Sequence, residues 1–180
     1  MPDSRAPADS QPGFPAGLRQ SRRFQDRPVP QPAIDALLTA GRGDDPSDPQ
    51  WTLLVIDDLA TRTELAEIGA FTAILAQAPA AIVIVSRANV KSSKANDESR
   101  VGDRIMLEAG RLGLGSGTGW FGTGAAKARA REILGLSSNQ SAWGAVAVGY
   151  LEDAPPTGES ALDRARRLLD ALSPEPPPER

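Results

Sequence analysis

The chain has 180 residues, a formal net charge of -3, and neither cysteine nor histidine. This length suits a single domain with one sizeable core. Without thiols or imidazoles, the sequence excludes disulfides, Cys/His zinc sites and every catalytic arrangement that needs a histidine base. The acidic balance gives no general attraction to nucleic acid, so no nucleic-acid partner is predicted.

The composition also limits how the chain could act as an enzyme. No pair of Asp or Glu residues stands out from solvated charge, although carboxylate-only hydrolysis stays open. An enzyme of this kind would therefore depend on a bound organic cofactor, which the protein would bind and orient. No segment approaches the roughly 18 consecutive apolar residues of a membrane span, and residues 1–17 lack the apolar core of a signal peptide. The sequence therefore predicts a cytoplasmic protein without a membrane partner.

The predicted elements form one domain over residues 15–172. It lies between a disordered leader, 1–14, and a disordered Pro/Glu tail, 173–180. Apolar periodicity and turn signals predict helices at about 15–21, 32–40, 60–77, 97–112, 125–134 and 160–172. Apolar runs predict strands at 51–56, 81–85 and 142–150. The last strand is rich in small residues, which is typical of a central position approached closely by other elements.

An arginine turn, residues 19–23, concentrates guanidinium groups near the start of the predicted domain. It comprises Arg19, Gln20, Ser21, Arg22 and Arg23. The planar fork of arginine suits phosphate oxygens, so the turn is a candidate phosphate site. Two other interpretations remain open. Such a charge run is often solvated surface, and cations are also favoured at the C-terminal end of a helix such as 15–21.

A glycine run, residues 113–124, is the most unusual stretch, with six glycines in twelve residues. Such a backbone can take positive φ angles and approach another surface, such as a flat ring or a neighbouring chain. Gly117, Gly119 and Gly122 match the spacing of a dinucleotide fingerprint, but they follow a predicted helix rather than a strand, so a Rossmann site is rejected. A flexible connection between two helices is the alternative.

Five segments in chain order resemble the nitroreductase family of FMN-dependent oxidoreductases. They are an Arg/Ser-rich turn ending in Phe and Pro-Val-Pro, a Pro-Ser loop ending in Gln-Trp before a strand, an Ala-Pro-led apolar strand, a helix ending in Leu-Gly-Leu-Gly-Ser, and Arg-Glu-Ile-Leu-Gly-Leu before Gly-Ala-Val-Ala-Val-Gly-Tyr. The resemblance covers roughly residues 18–156.

The resemblance implies an α+β fold, with a central mixed sheet flanked by helices, built as an intertwined homodimer. It implies FMN at the dimer interface, NAD(P)H as electron donor, and a nitroaromatic, quinone or similar small molecule as acceptor. Catalysis would depend on the flavin, so no side chain is assigned as a catalytic acid or base.

The resemblance also implies which residues bind the cofactor. The arginine turn would hold the flavin phosphate and ribityl chain, the loop before the first strand would reach the flavin of the other subunit, and the glycine run would lie beside the ring. Arg164 is the nearest basic residue after the last strand that could complete the phosphate site. The predicted cofactor-binding residues are Arg19, Gln20, Ser21, Arg22, Arg23, Pro46, Ser47, Gln50, Ser116, Gly117, Gly119, Trp120, Gly122 and Arg164.

Two alternatives to this function stay open. One is a non-catalytic dimer of the same fold that binds another phosphorylated ligand. The departures from the family pattern favour it, among them Asp48 where the family has an amide. The segments 131–136 and 144–149 are also similar to the flavin-binding domain of deazaflavin-cofactor ligases, which keeps a biosynthetic role open as well. The other alternative is an unrelated α/β domain, which would be a monomer.

Overall fold

The computed structural model describes residues 20–43, 51–87, 94–122 and 124–152. The predicted leader, the loop before the first strand, the helix at 160–172 and the tail lie outside these residues. The described elements are α1 (Gln31–Arg42), β1 (Trp51–Ile56), α2 (Leu59–Ala66), a 3-10 helix (Ala73–Ala76), β2 (Ala80–Arg87), α3 (Lys94–Arg111), β3 (Gly115–Trp120), α4 (Gly124–Ile133) and β4 (Gln140–Gly149).

A four-stranded sheet in the order β1-β2-β4-β3 forms the centre of the molecule. Each neighbouring pair of these strands is antiparallel, whereas a mixed sheet was expected. A single parallel bridge, between Gln20 and Ser116, adds the arginine turn to the β3 edge. The predicted central place of the small-residue strand is confirmed, because β4 lies between β2 and β3.

Helices cover both faces of the sheet and create two apolar clusters. On one face Ile82, Ile84 and Val146 pack with buried residues of α1 and α3. On the other face Val83 and Val85 pack with residues of α2, the 3-10 helix and α4. Residues 80–85 of β2 are all apolar and buried because both faces of this stretch are covered, even though the neighbouring strands are antiparallel.

The predicted helix at 60–77 is wrong in its second half. Asp58 caps the start of helix α2, since its side chain accepts a hydrogen bond from the Thr61 N–H (2.7 Å), but the helix ends at Ala66. The buried Thr72 hydroxyl lies within hydrogen-bonding distance of the carbonyl oxygens of Ala66 (3.0 Å) and Gly69 (2.7 Å). These contacts stabilise a non-helical turn where α2 was predicted to continue. The chain then forms the 3-10 helix. Local hydrophobic spacing did not reveal this interruption.

The glycine run is also not a loop, because Gly115–Trp120 forms the edge strand β3. Its glycines at 115, 117 and 119 repeat with the two-residue period of a strand and leave one face without side chains. Low β-propensity concealed this strand in the sequence. Where the chain leaves the strand, Gly122 has φ 70°, a left-handed conformation that glycine adopts readily.

A β-bulge interrupts β4 beside its pairing with β2. Ile84 pairs with Gly144 and Val85 pairs with Ala142, so Trp143 is the extra residue on β4. Bulges bend a strand locally and re-aim side chains. This bulge lies where β4 approaches α3 and α4, next to the cavity described below.

Candidate functional site

The arginine turn lies directly against β3. The Ser21 N–H donates a hydrogen bond to the Ser116 carbonyl oxygen at 2.8 Å, and the Gln20 side-chain amide donates to the Thr118 hydroxyl at 3.0 Å. Phe24 is buried and forms a bridge with Leu151 just after β4. The two segments that the sequence singled out, although far apart along the chain, are therefore neighbours in the structure.

The backbone of the arginine turn is extended rather than helical at its described residues. Gln20 takes part in the strand-like bridge, so the helix predicted through Ser21 is wrong at Gln20 and Ser21. A helix dipole therefore does not account for the cations that follow. Arg22 and Arg23 are exposed, and neither forms an ion pair with another described residue. Both guanidinium groups are available to a phosphate.

The glycines of β3 serve internal packing. A Cβ atom on Gly117 would lie 2.9 Å from the Ser21 carbonyl oxygen and would collide with Ile74 of the 3-10 helix. A Cβ atom on Gly119 would lie 3.2 Å from the Leu75 side chain. The missing side chains thus let β3 pack closely on the arginine turn and the 3-10 helix. The interpretation of these two glycines as room for a flat ring needs correction, since their bare face is already occupied by the chain itself.

A cavity of about 580 Å³ opens on the opposite face of β3, between that strand, β4 and α3. Among the predicted site residues, Gln20, Gly119 and Trp120 line it. Ser21, Ser116, Gly117 and Gly122 do not line this cavity. Ser21 and Ser116 instead join the arginine turn to the strand. A volume of this size is typical of sites for cofactors and small ligands.

Two indole rings contribute flat apolar surface to the cavity. Trp120 is 53% exposed and lies tilted against Phe71, with 6.2 Å between the ring centroids. Trp143, the bulge residue, carries the Lys127 ammonium 2.9 Å from its ring centroid, a cation–π arrangement. The cavity therefore combines aromatic walls with polar groups at Gln20 and Thr118.

Glu98 of α3 also lines the cavity, and the sequence did not single it out. Burial raises the pKa of its carboxyl group to about 7, against the opposing effects of the Lys127 cation and a hydrogen bond from the Gly144 N–H. Burial also lowers the pKa of Lys127, which Glu98 partly restores. Nothing local marks Glu98, since it lies in a polar stretch whose pattern indicates solvated surface. Only the approach of β4 and α4 partly buries it.

Several predicted site residues lie outside the described part of the chain. They are Arg19, Pro46, Ser47, Gln50 and Arg164. Their assignments remain predictions. Within the described residues, no group of three Asp or Glu side chains is placed to hold a metal ion.

Comparisons with solved structures agree with this architecture. An FMN-dependent nitroreductase from Clostridium difficile R20291 is similar over 81% of this chain and 89% of its own, with TM-score 0.70 and 25% identity. A nitroreductase family protein from Clostridium novyi NT matches over 75% and 81% of the two chains (TM-score 0.65, 14% identity). Nitroreductase A from Vibrio parahaemolyticus matches over 79% and 68% (TM-score 0.62, 18% identity). No family model and no curated protein matches the sequence.

The class defined by these observations is an α+β protein with helices on both faces of a four-stranded sheet. More specifically, the chain has the nitroreductase fold, and the resemblance seen in the sequence is confirmed. In the described part of the chain, no helix is long and apolar enough to cross a membrane.

Proposed function

We propose that the protein is an FMN-dependent NAD(P)H oxidoreductase that reduces a small acceptor such as a nitroaromatic or a quinone. The observation that carries this proposal is the junction of the arginine turn with β3 at the edge of the cavity. The hydrogen bond from the Ser21 N–H to the Ser116 carbonyl oxygen joins the turn that carries the exposed Arg22 and Arg23 to the strand that contributes Trp120 to the cavity wall. Similarity to an FMN-dependent nitroreductase gives independent support.

The described residues fit a flavin mononucleotide in their chemistry. Arg22 and Arg23 supply exposed cations for the phosphate group, and Gln20 and Thr118 supply polar side chains in the cavity wall. The indoles of Trp120 and Trp143 supply apolar surface for a planar ring. The binding of FMN would depend on these side chains and on the arginine turn. The glycine face of β3 is not available to the cofactor, because it packs against the 3-10 helix.

Bound FMN would supply hydride chemistry that the amino acids of this chain lack. The chain would bind the phosphate through the arginine turn and shape the acceptor pocket with α3 and the indoles. We further propose that the protein assembles as a homodimer. The exposed apolar side chains Phe71 and Trp120, which lie against each other, support an interface, since contiguous apolar surface of this kind often marks a site of association.

The first test is the absorption spectrum of the purified protein after incubation with FMN and removal of free flavin. We expect a flavin band at near stoichiometric amount. A colourless protein that cannot be reconstituted would contradict the proposal and favour the non-catalytic dimer.

Replacement of one arginine tests where the phosphate binds. We expect Arg22→Ala to weaken FMN binding at least about tenfold, because a hydrogen bond to a charged group contributes roughly 1.5 to 3 kcal/mol. Fluorescence titration of flavin measures the affinity. Arg42→Ala is the matched control, since Arg42 is exposed at the far end of α1 and should leave the affinity unchanged. Equal affinities for the two variants would remove Arg22 from the site.

A further inference from the structure

We infer that Glu98 is the proton donor for the acceptor bound in the cavity, a role that rests on the proposed oxidoreductase function. The argument begins with position. Glu98 lies on α3 where this helix faces the bulged part of β4, and its carboxyl oxygen Oε1 is 3.7 Å from where a Cβ on Gly144 would stand. The same cavity wall contains Trp120 and Trp143. An acceptor bound in this cavity on the side of α3 would therefore lie next to the carboxyl group.

The surroundings of Glu98 keep one proton available at neutral pH. The Gly144 N–H and the Lys127 ammonium favour the carboxylate, while burial favours the neutral acid and outweighs them. Lys127 belongs to α4 and lies over the ring of Trp143. Asp103, on α3, is the other carboxyl group that lines the cavity, and it is exposed. The balance leaves Glu98 close to half protonated near pH 7, as effective general acids are.

The composition of the chain makes this carboxyl group significant. Histidine and cysteine, the side chains that most often exchange protons near neutral pH, are absent from all 180 residues. Among the described carboxyl groups, Glu98 is the one whose pKa is raised into this range. The chain therefore has a candidate acid in the cavity without using either residue type.

Quinone reduction illustrates the step with its atoms and electrons. A quinone becomes a hydroquinone by gaining two electrons and two protons. The two electrons and one proton would be supplied as a hydride by the bound reduced cofactor, which would be oxidised. The second proton passes from the Glu98 carboxyl group to the quinone oxygen that carries the developing negative charge. The Glu98 carboxylate then regains a proton from water that enters through the open side of the cavity.

The test follows the oxidative half-reaction of the FMN-loaded protein with a soluble quinone across pH 5.5 to 8.5. For the native protein we expect the rate to fall with an apparent pKa near 7 as Glu98 loses its proton. Glu98→Gln should lower the rate at pH 6 by about tenfold to a hundredfold and remove this inflection. Glu108→Gln is the control, because it removes a carboxyl group from the same helix where it pairs with Arg111 outside the cavity.

A second readout does not need the flavin. Carbon-13 NMR of the apoprotein with labelled glutamate should show one carboxyl group that titrates near pH 7 and is missing in Glu98→Gln. Lys127→Met should move this titration to higher pH, because the cation that favours the carboxylate is gone. A Glu98 that titrates near 4.5, or a pH profile that Glu98→Gln leaves unchanged, overturns the inference even if FMN binds. If the protein binds no FMN, the proposed function is overturned, and the role of Glu98 falls with it. The titration of Glu98 in the apoprotein distinguishes this outcome from a failure of the Glu98 inference alone.

Discussion

At the residue scale, the site depends on side chains whose chemistry is set by neighbours distant in sequence. Glu98 is ordinary in its own segment. Burial raises the pKa of its carboxyl group, against the opposing effects of the Lys127 cation from α4 and the Gly144 N–H from β4. Arg22 and Arg23 show the opposite case, since their type alone indicated an anion and the structure leaves them exposed. Residue type thus indicated a candidate anion site, whereas only packing singled out the Glu98 carboxyl group.

The raised pKa of Glu98 predicts how stability depends on pH. The folded state holds this proton up to about pH 7, whereas an unfolded chain releases it near 4.5. Between these values the folded state binds more protons, so the free energy of unfolding falls as pH rises. We expect Glu98→Gln to unfold with the same free energy as the native protein below pH 4.5. At pH 8 it should be more stable by on the order of 2 kcal/mol, a figure discounted for partial exposure.

Urea denaturation at several pH values measures this effect. Glu108→Gln serves as the comparison, because the hydrogen bond from Arg111 lowers the pKa of Glu108 and its loss should give no gain at pH 8. A Glu98→Gln protein whose stability advantage does not grow from pH 5 to pH 8 would contradict the prediction.

At the element scale, β3 connects the arginine turn to the rest of the fold. Its face that bears Gly115, Gly117 and Gly119 packs against the turn and the 3-10 helix, while Thr118 and Trp120 face the cavity. β3 thus pairs along its outer edge with the arginine turn and builds part of the pocket wall with its larger side chains. The two roles require alternation of glycine with larger residues, which is the pattern observed.

A single added methyl group tests this role of β3. Gly117→Ala should destabilise the protein by about 1 to 3 kcal/mol, because its Cβ would meet Ile74 and the Ser21 backbone. It should also weaken FMN binding, since the arginine turn must move. Gly110→Ala adds the same methyl group to α3, where nothing lies within 4 Å. There we expect a gain of about 0.5 to 1 kcal/mol from helix propensity.

Thermal unfolding and flavin titration of both variants provide the measurements. If Gly117→Ala keeps the native stability and flavin affinity, close packing of β3 on the arginine turn is not what positions the phosphate site.

At the scale of the whole molecule, the described chain is covered by helices on both faces of its sheet but keeps apolar side chains exposed. Phe71 is 67% exposed and lies against Trp120, which itself lines the cavity. A partner subunit that covered Phe71 would therefore lie close to the proposed acceptor site. Assembly and cofactor binding would then depend on each other.

The proposed homodimer has a measurable mass. Sedimentation equilibrium should give about twice the 18.9 kDa of the chain. Dilution into the range where subunits separate should release FMN in parallel, because ligand binding and assembly are linked. A monomer that retains FMN at every concentration would contradict this part of the proposal.

The sequence by itself determined the features that depend on local pattern or on residue type. The strand at 51–56, the core of β2 and the first-turn proline of α1 follow from apolar runs and backbone restrictions that act over a few residues. The absence of histidine and cysteine restricted the chemistry before any fold was known. The order of five short segments was sufficient to indicate the nitroreductase fold.

Only the tertiary structure decided the features that depend on contacts between distant segments. Glycine has a low strand propensity, so the local sequence of β3 indicated a loop. Its pairing with β4 and its packing against the 3-10 helix make it a strand. The end of α2 required the Thr72 hydrogen bonds, and the pKa of Glu98 required burial by α4 and β4. In each case the deciding free energy comes from desolvation or close packing, and both are properties of the folded chain rather than of a window of sequence.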